Sequence, residues 1–115
     1  MNLEQIDVFS RGLYHIANVD EVDEKELELI KEFLREAEQE SLIDTLESST
    51  FHVAELSTLE TEFNKRLFLK VALILIKRDG IVSKAEKDII KDITNYLGLE
   101  LDLEKLENEV EQESF

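Results

Sequence analysis

A chain of 115 residues forms one domain that can bury a core without staples, and the absence of cysteine excludes disulfides, zinc-thiolate sites and thiol nucleophiles. A formal charge of -15 repels nucleic acid and anionic membrane at long range, so a basic or cationic partner is favoured, with solubility as the plainer consequence. The absence of proline, three glycines and a vocabulary rich in Leu, Ile, Glu and Lys predict helices throughout.

The first predicted helix ends near Val19, with one apolar stripe of Leu3, Ile6, Phe9, Leu13, Ile16 and Ala17 at three- and four-residue spacing. Asp23 and Glu26 then form a capping-box pattern that opens a second helix, burying Leu27, Leu29, Ile30, Phe33, Leu34 and Ala37. Residues 38 to 57 are less regular and read as one or two short helices. Ser57-Thr58-Leu59-Glu60 is another capping-box pattern and is expected to open the longest helix, which runs to Lys77 and Arg78, cations suited to the negative end of its dipole. From Leu67 to Ile76 that helix has Lys70 as its one polar residue, so it should be the central element, surrounded by others. Gly80 suits a helix C-terminus, and Ser83 with Glu86 caps the next helix, which buries Ile89, Ile90, Ile93, Tyr96 and Leu97 and ends at Gly98. A short helix over roughly 102 to 111 would pack through Leu103, Leu106 and Val110. The expected fold is all-α, a compact bundle of about six or seven helices.

The two halves match. At an offset of 59, Phe9, Arg11, Ile16 and Asp20 fall on Phe68, Lys70, Leu75 and Asp79; one residue further on, Val22, Glu26, Leu29, Ile30 and Phe33 fall on Val82, Glu86, Ile89, Ile90 and Ile93. The unit is helix, acidic turn and capped helix, repeated over about 3–38 and 58–98 around the central helix. Asp79, Gly80, Val82, Ser83 and Glu86 resemble the motif of the TerB-like tellurite-resistance family, small all-helical proteins with a repeated Asp-Gly, aliphatic, cap and glutamate pattern. The first copy departs from it, because Glu21 replaces the glycine and the turn is one residue shorter. The resemblance implies a stress-associated module in membrane-associated assemblies, with divalent cations as ligands of its acidic turns. The chain is similar also to the extra helical domain of some J-domain co-chaperones, an interaction unit.

Candidate metal ligands are Asp79 and Glu86 in the second turn and Asp20, Asp23 and Glu26 in the first. Carboxylate oxygens without nitrogen or sulfur suit calcium, magnesium or manganese. The competing reading is structural: Gly80 stops a helix, Ser83 caps the next and Glu86 returns the bond. No EF-hand fits, since a loop starting at Asn18 puts Asp23 at the glycine position and Leu29 at the bidentate glutamate.

Glu24, Glu28, Glu32, Glu36 and Glu40 recur at four-residue spacing, with Lys31 and Arg35 close enough to relieve some repulsion. A protein partner with a basic surface is the sharp reading of that ladder, and an ordinary solvated face the plain one. On the equivalent later helix Lys84, Lys87 and Lys91 line one edge beside Asp88 and Asp92, so opposite stripes allow a homo-oligomer to pair head-to-tail. No enzyme is expected: His15 and His52 stand in no triad-like or HExxH-like context, and there is no glycine-rich phosphate loop. Three lysines on a helix-turn-helix can imitate a DNA reader, but 28 acidic residues argue against nucleic acid. Met1 to Glu4 begin no secretory signal, and the longest apolar run is about half the roughly 20 residues of a spanning helix, so a cytoplasmic protein without membrane insertion is expected.

Overall fold

The computed structural model describes residues 1–19, 24–77 and 83–98. Their elements are α1 (Leu3–Ala17), α2 (Glu24–Glu36), two 3₁₀ helices η1 (Glu40–Thr45) and η2 (Val53–Leu59), α3 (Glu62–Ile76) and α4 (Lys84–Leu97), with no strand among the described residues. The fold is therefore all-α. The expected segment at 102–111 lies outside the described residues.

Asn2 sets the start of α1 by a reciprocal cap: its Oδ1 accepts from the Gln5 N–H at 2.8 Å, and Gln5 Oε1 accepts from the Asn2 N–H at 2.9 Å. Ile6, Phe9, Leu13, Ile16 and Ala17 are buried, as their spacing predicts. Leu3 is not; it is 55% exposed, in a first turn that lies beyond the point where Gln5 Nε2 donates to the Thr58 carbonyl at 3.2 Å.

Phe9 is the hinge of the core. Its ring stacks on Phe33 of α2 at 4.7 Å and meets Phe68 of α3 edge-on at 5.2 Å and 82°. These are the two arrangements that the ring quadrupole favours. α3 packs against α1, α2, α4 and η2, and buries Phe68, Leu69, Ala72, Leu73, Leu75 and Ile76. It is the central element, as its nearly unbroken apolar run requires. Gly12 lets α1 approach it: a Cβ there would stand 2.8 Å from Phe68 Cε2, so any larger residue must displace a fully buried ring.

Three boundaries differ from expectation. α3 starts at Glu62, not at residue 58, and its cap is Thr61, whose hydroxyl accepts from the Asn64 N–H at 3.1 Å. Ser57 to Leu59 instead end η2, because Val53, Leu56 and Leu59 recur every three residues and so share one face of a 3₁₀ helix; Leu56 and Leu59 are fully buried. α2 stops at Glu36, since Glu38 takes a positive φ of 59°, which no α-helix continues. Ala37 follows the helix rather than belonging to it. Lastly, Tyr96 is 46% exposed rather than buried, its hydroxyl lying 3.5 Å from the Ala54 carbonyl on the surface of η2.

Candidate functional site

Of the five candidate metal ligands, Asp20, Asp23 and Asp79 lie outside the described residues, as does Gly80. The other two occupy matching places in the first turns of α2 and α4, where Glu26 is 5% and Glu86 8% exposed. Glu86 Oε1 accepts from the Ser83 N–H at 3.1 Å, and the Ser83 hydroxyl accepts from the Glu86 N–H at 3.1 Å. This is the expected capping box, and it engages one of the two Glu86 carboxylate oxygens. Among the described residues no three His, Asp or Glu side chains converge as a metal site requires.

The glutamate ladder has four rungs on α2 rather than five. Ile30 and Leu34 turn one face of the helix into the core, which leaves Glu24, Glu28, Glu32 and Glu36 exposed along the other. Glu40 is exposed too, but it begins η1 beyond the break at Glu38 and does not continue the row. Arg35 Nη1 meets Glu28 Oε1 at 3.0 Å with both side chains about half exposed, a pair worth little in water. Glu24, Glu32 and Glu36 form no ion pair among the described residues. On α4, Lys84, Lys87 and Lys91 are all exposed, and so are Asp88 and Asp92 between them, making a mixed edge instead of a cationic stripe.

Arg11 organises a polar cluster that the sequence did not reveal. Its Nη1 donates to Glu55 Oε2 at 2.9 Å and to the Thr50 carbonyl at 2.8 Å, and its Nη2 lies 3.1 Å from Asp7 Oδ2. Burial pulls the guanidinium pKa down, but the bonds to Glu55 and Asp7 outweigh it and the net shift is upward. The His52 N–H, donating to Glu55 Oε2 at 3.0 Å, holds the Glu55 carboxyl below the usual carboxylate range; partial desolvation opposes this and Arg11 adds to it. Asp7 and Arg11 stand at helical i, i+4 spacing, which is legible locally, but Glu55 is 44 residues away and carries no sequence signal of its role. His15 sits nearby with its ring 5.3 Å from that of Phe51, a packing role.

Between α2 and η1 a shallow cleft of about 250 Å³ is lined by Leu27, Lys31, Ile43, Asp44, Leu46 and Glu47. Its lining mixes one cation, Lys31, and two acids, Asp44 and Glu47, with three apolar side chains, so no single ligand chemistry is selected. No helix of the described residues is long and apolar enough to cross a membrane. Comparison with known proteins finds no family model, no curated protein and no solved structure that matches the chain.

Proposed function

We propose that the chain is a non-enzymatic, TerB-like interaction module acting in the cytoplasm within a stress-response or envelope-associated assembly, with a basic protein surface docking on the exposed face of α2. The observation that carries this reading is the row Glu24, Glu28, Glu32 and Glu36, exposed on one face while the opposite face is held in the core. Each like-charged step costs a few tenths of a kcal/mol in an isolated helix. Of these four glutamates, Glu28 alone forms an ion pair with a described residue, so most of that cost stands in the free protein and a cationic partner would relieve it. The family reading rests on the motif residues, of which Ser83 and Glu86 make the reciprocal cap. The test is charge reversal, Glu28→Lys with Glu32→Lys and Glu36→Lys, all on the solvent side. The variant should keep its melting temperature and lose a partner recovered with the wild type; unchanged recovery counts against the proposal.

The second reading is a divalent-cation sensor or buffer using Asp79, Glu86, Asp20, Asp23 and Glu26, with calcium, magnesium or manganese. It ranks below the first because Glu86 already spends an oxygen on the Ser83 amide.

A further inference from the structure

The segment between α2 and α3 is bracketed by backbone strain. Glu38 with φ 59° and Glu60 with φ 61° are the two non-glycine residues of positive φ among the described residues, and they stand immediately outside residues 39–59. At Glu60, ψ is -57° and the Thr61 N–H donates to the Leu59 carbonyl at 2.7 Å. That is the strained form of the three-residue γ-turn, seldom adopted by a residue with a side chain. Neither end of the segment is therefore at its conformational minimum.

Between these ends the chain lies along α1 in the opposite direction. The Thr58 carbonyl accepts from Gln5, Glu55 and the Thr50 carbonyl accept from Arg11, and Phe51 packs by Gly12 and against the His15 ring. On the other side η2 packs against α4, where the Tyr96 hydroxyl approaches the Ala54 carbonyl. Leu56 and Leu59, one 3₁₀ turn apart, are fully buried beneath. Two apolar anchors one turn apart, with polar ties along the rim, are how an amphipathic helical peptide occupies a groove on another protein. Here the occupant is part of the same chain.

We propose that η2 is the internal occupant of a helix-binding groove between α1 and α4, released as a strap about Glu38 and Glu60. The partner that replaces it is an amphipathic helical segment with two apolar anchors one turn apart and a carboxylate for Arg11. This groove is separate from the acidic face of α2 and does not depend on it. Release of residues 39–59 uncovers three buried leucines, Leu46, Leu56 and Leu59, so the open form is a minor state, and a partner's apparent affinity is reduced by the open fraction. Anything that loosens the strap should tighten partner binding by the same factor.

The full chain can be tested by native-state hydrogen exchange together with binding of a labelled peptide spanning Ser49 to Thr61. In the wild type, amides of η2 should exchange at least about tenfold faster than those of α1 and α3, as a local opening rather than a global one. Glu55→Gln removes a charge from a side chain 37% exposed and leaves the leucine anchors in place. It should speed exchange in η2 alone and tighten peptide binding by a matching factor, whereas Glu60→Gly, by relieving the turn, should slow η2 exchange and weaken binding. A peptide with both leucines replaced by Asp should not bind. The proposal is overturned if η2 exchanges only together with α1 and α3, if Glu55→Gln loosens all helices equally, or if the peptide binds neither protein. It is overturned also if Glu55→Gln elutes as a dimer that ignores the peptide, because the strap would then be exchanging between copies of the chain.

Discussion

The helix pairs α1–α2 and α3–α4 share their inner positions and differ in their outer ones. Phe9 and Phe68, Ile16 and Leu75, Ile30 and Ile90, and Glu26 and Glu86 are matched in the chain and buried alike. Outside, α2 presents four glutamates where α4 presents lysines and aspartates in mixture, and α1 carries Arg11 in a three-way cluster. Burial fixes volume and period within narrow limits, whereas exposed charges change stability by only tenths of a kcal/mol and are free to diverge. A difference in the outer positions is therefore where a difference in function can be read.

The largest expected effects test the shared interior. Phe9→Ala and Phe68→Ala should each cost about 3–5 kcal/mol in urea unfolding. Phe9→Ala should be the worse of the two, because Phe9 loses both its stack with Phe33 and its edge contact with Phe68. Equal or reversed losses would show that the rings do not meet as described.

Gly12 breaks the symmetry between the pairs, since the matching position on α3 is Val71. Gly12→Ala gains roughly 1 kcal/mol of helix propensity but drives a Cβ to 2.8 Å from Phe68, and overpacking costs about 1–3 kcal/mol. A net loss of about 1 kcal/mol is expected by thermal melting. A gain would mean that the two helices can separate freely.

Next in size is the Arg11 cluster. Glu55 has a lowered folded pKa, so its contribution is present above the ordinary glutamate pKa and is lost as pH falls through the lower folded value. With Glu55 37% exposed, solvent screening keeps that contribution to about 1 kcal/mol or less. Glu55→Gln should flatten this part of the acid limb in melts taken as pH falls below the ordinary glutamate pKa, a window set by the downward shift. An unchanged acid limb would remove Glu55 from the cluster.

Much of this fold was legible in the sequence because apolar spacing is local. The stripe from Ile6 to Ala17, the continuous apolar run of α3 and the Ser83–Glu86 cap each lie within a few turns of helix. What was misread also has a physical cause. Ser57-Thr58-Leu59-Glu60 has the composition of a capping box, but the three-residue recurrence of Val53, Leu56 and Leu59 makes it the end of a 3₁₀ helix, and Thr61 the cap. The fifth rung of the ladder was lost because a positive φ at Glu38 cannot be inferred from side-chain periodicity. Gly12 and Glu55 were missed because their roles come from partners 56 and 44 residues away, where sequence spacing carries no information. For the candidate sites, the sequence identified both the exposed glutamates and the engagement of Glu86 by Ser83, but not the break that takes Glu40 out of the row.

The smallest predicted effect concerns the acidic turns. A cation that binds only the folded state at 100 times its dissociation constant would raise stability by about 2.7 kcal/mol, which is several degrees in a domain of this size. Against monovalent salt at matched ionic strength, calcium, magnesium and manganese should each shift the melt by less than about 2 °C, and Asp79→Asn should not abolish the shift. A large shift for one cation that is lost in Asp79→Asn would make the turn a ligand site.

Partner recovery from a lysate of the native cell, compared across the two pairs, bears most directly on the role of the outer surface. The wild type, the α2 variant with Glu28, Glu32 and Glu36 changed to Lys, and an α4 variant with Lys84, Lys87 and Lys91 changed to Glu should melt at closely similar temperatures. A protein with a basic surface should be recovered with the wild type and the α4 variant and lost with the α2 variant, and the wild-type complex should dissociate as salt is raised. Recovery that is unchanged in the α2 variant, or lost equally from both folded variants, would contradict an interaction module that works through α2.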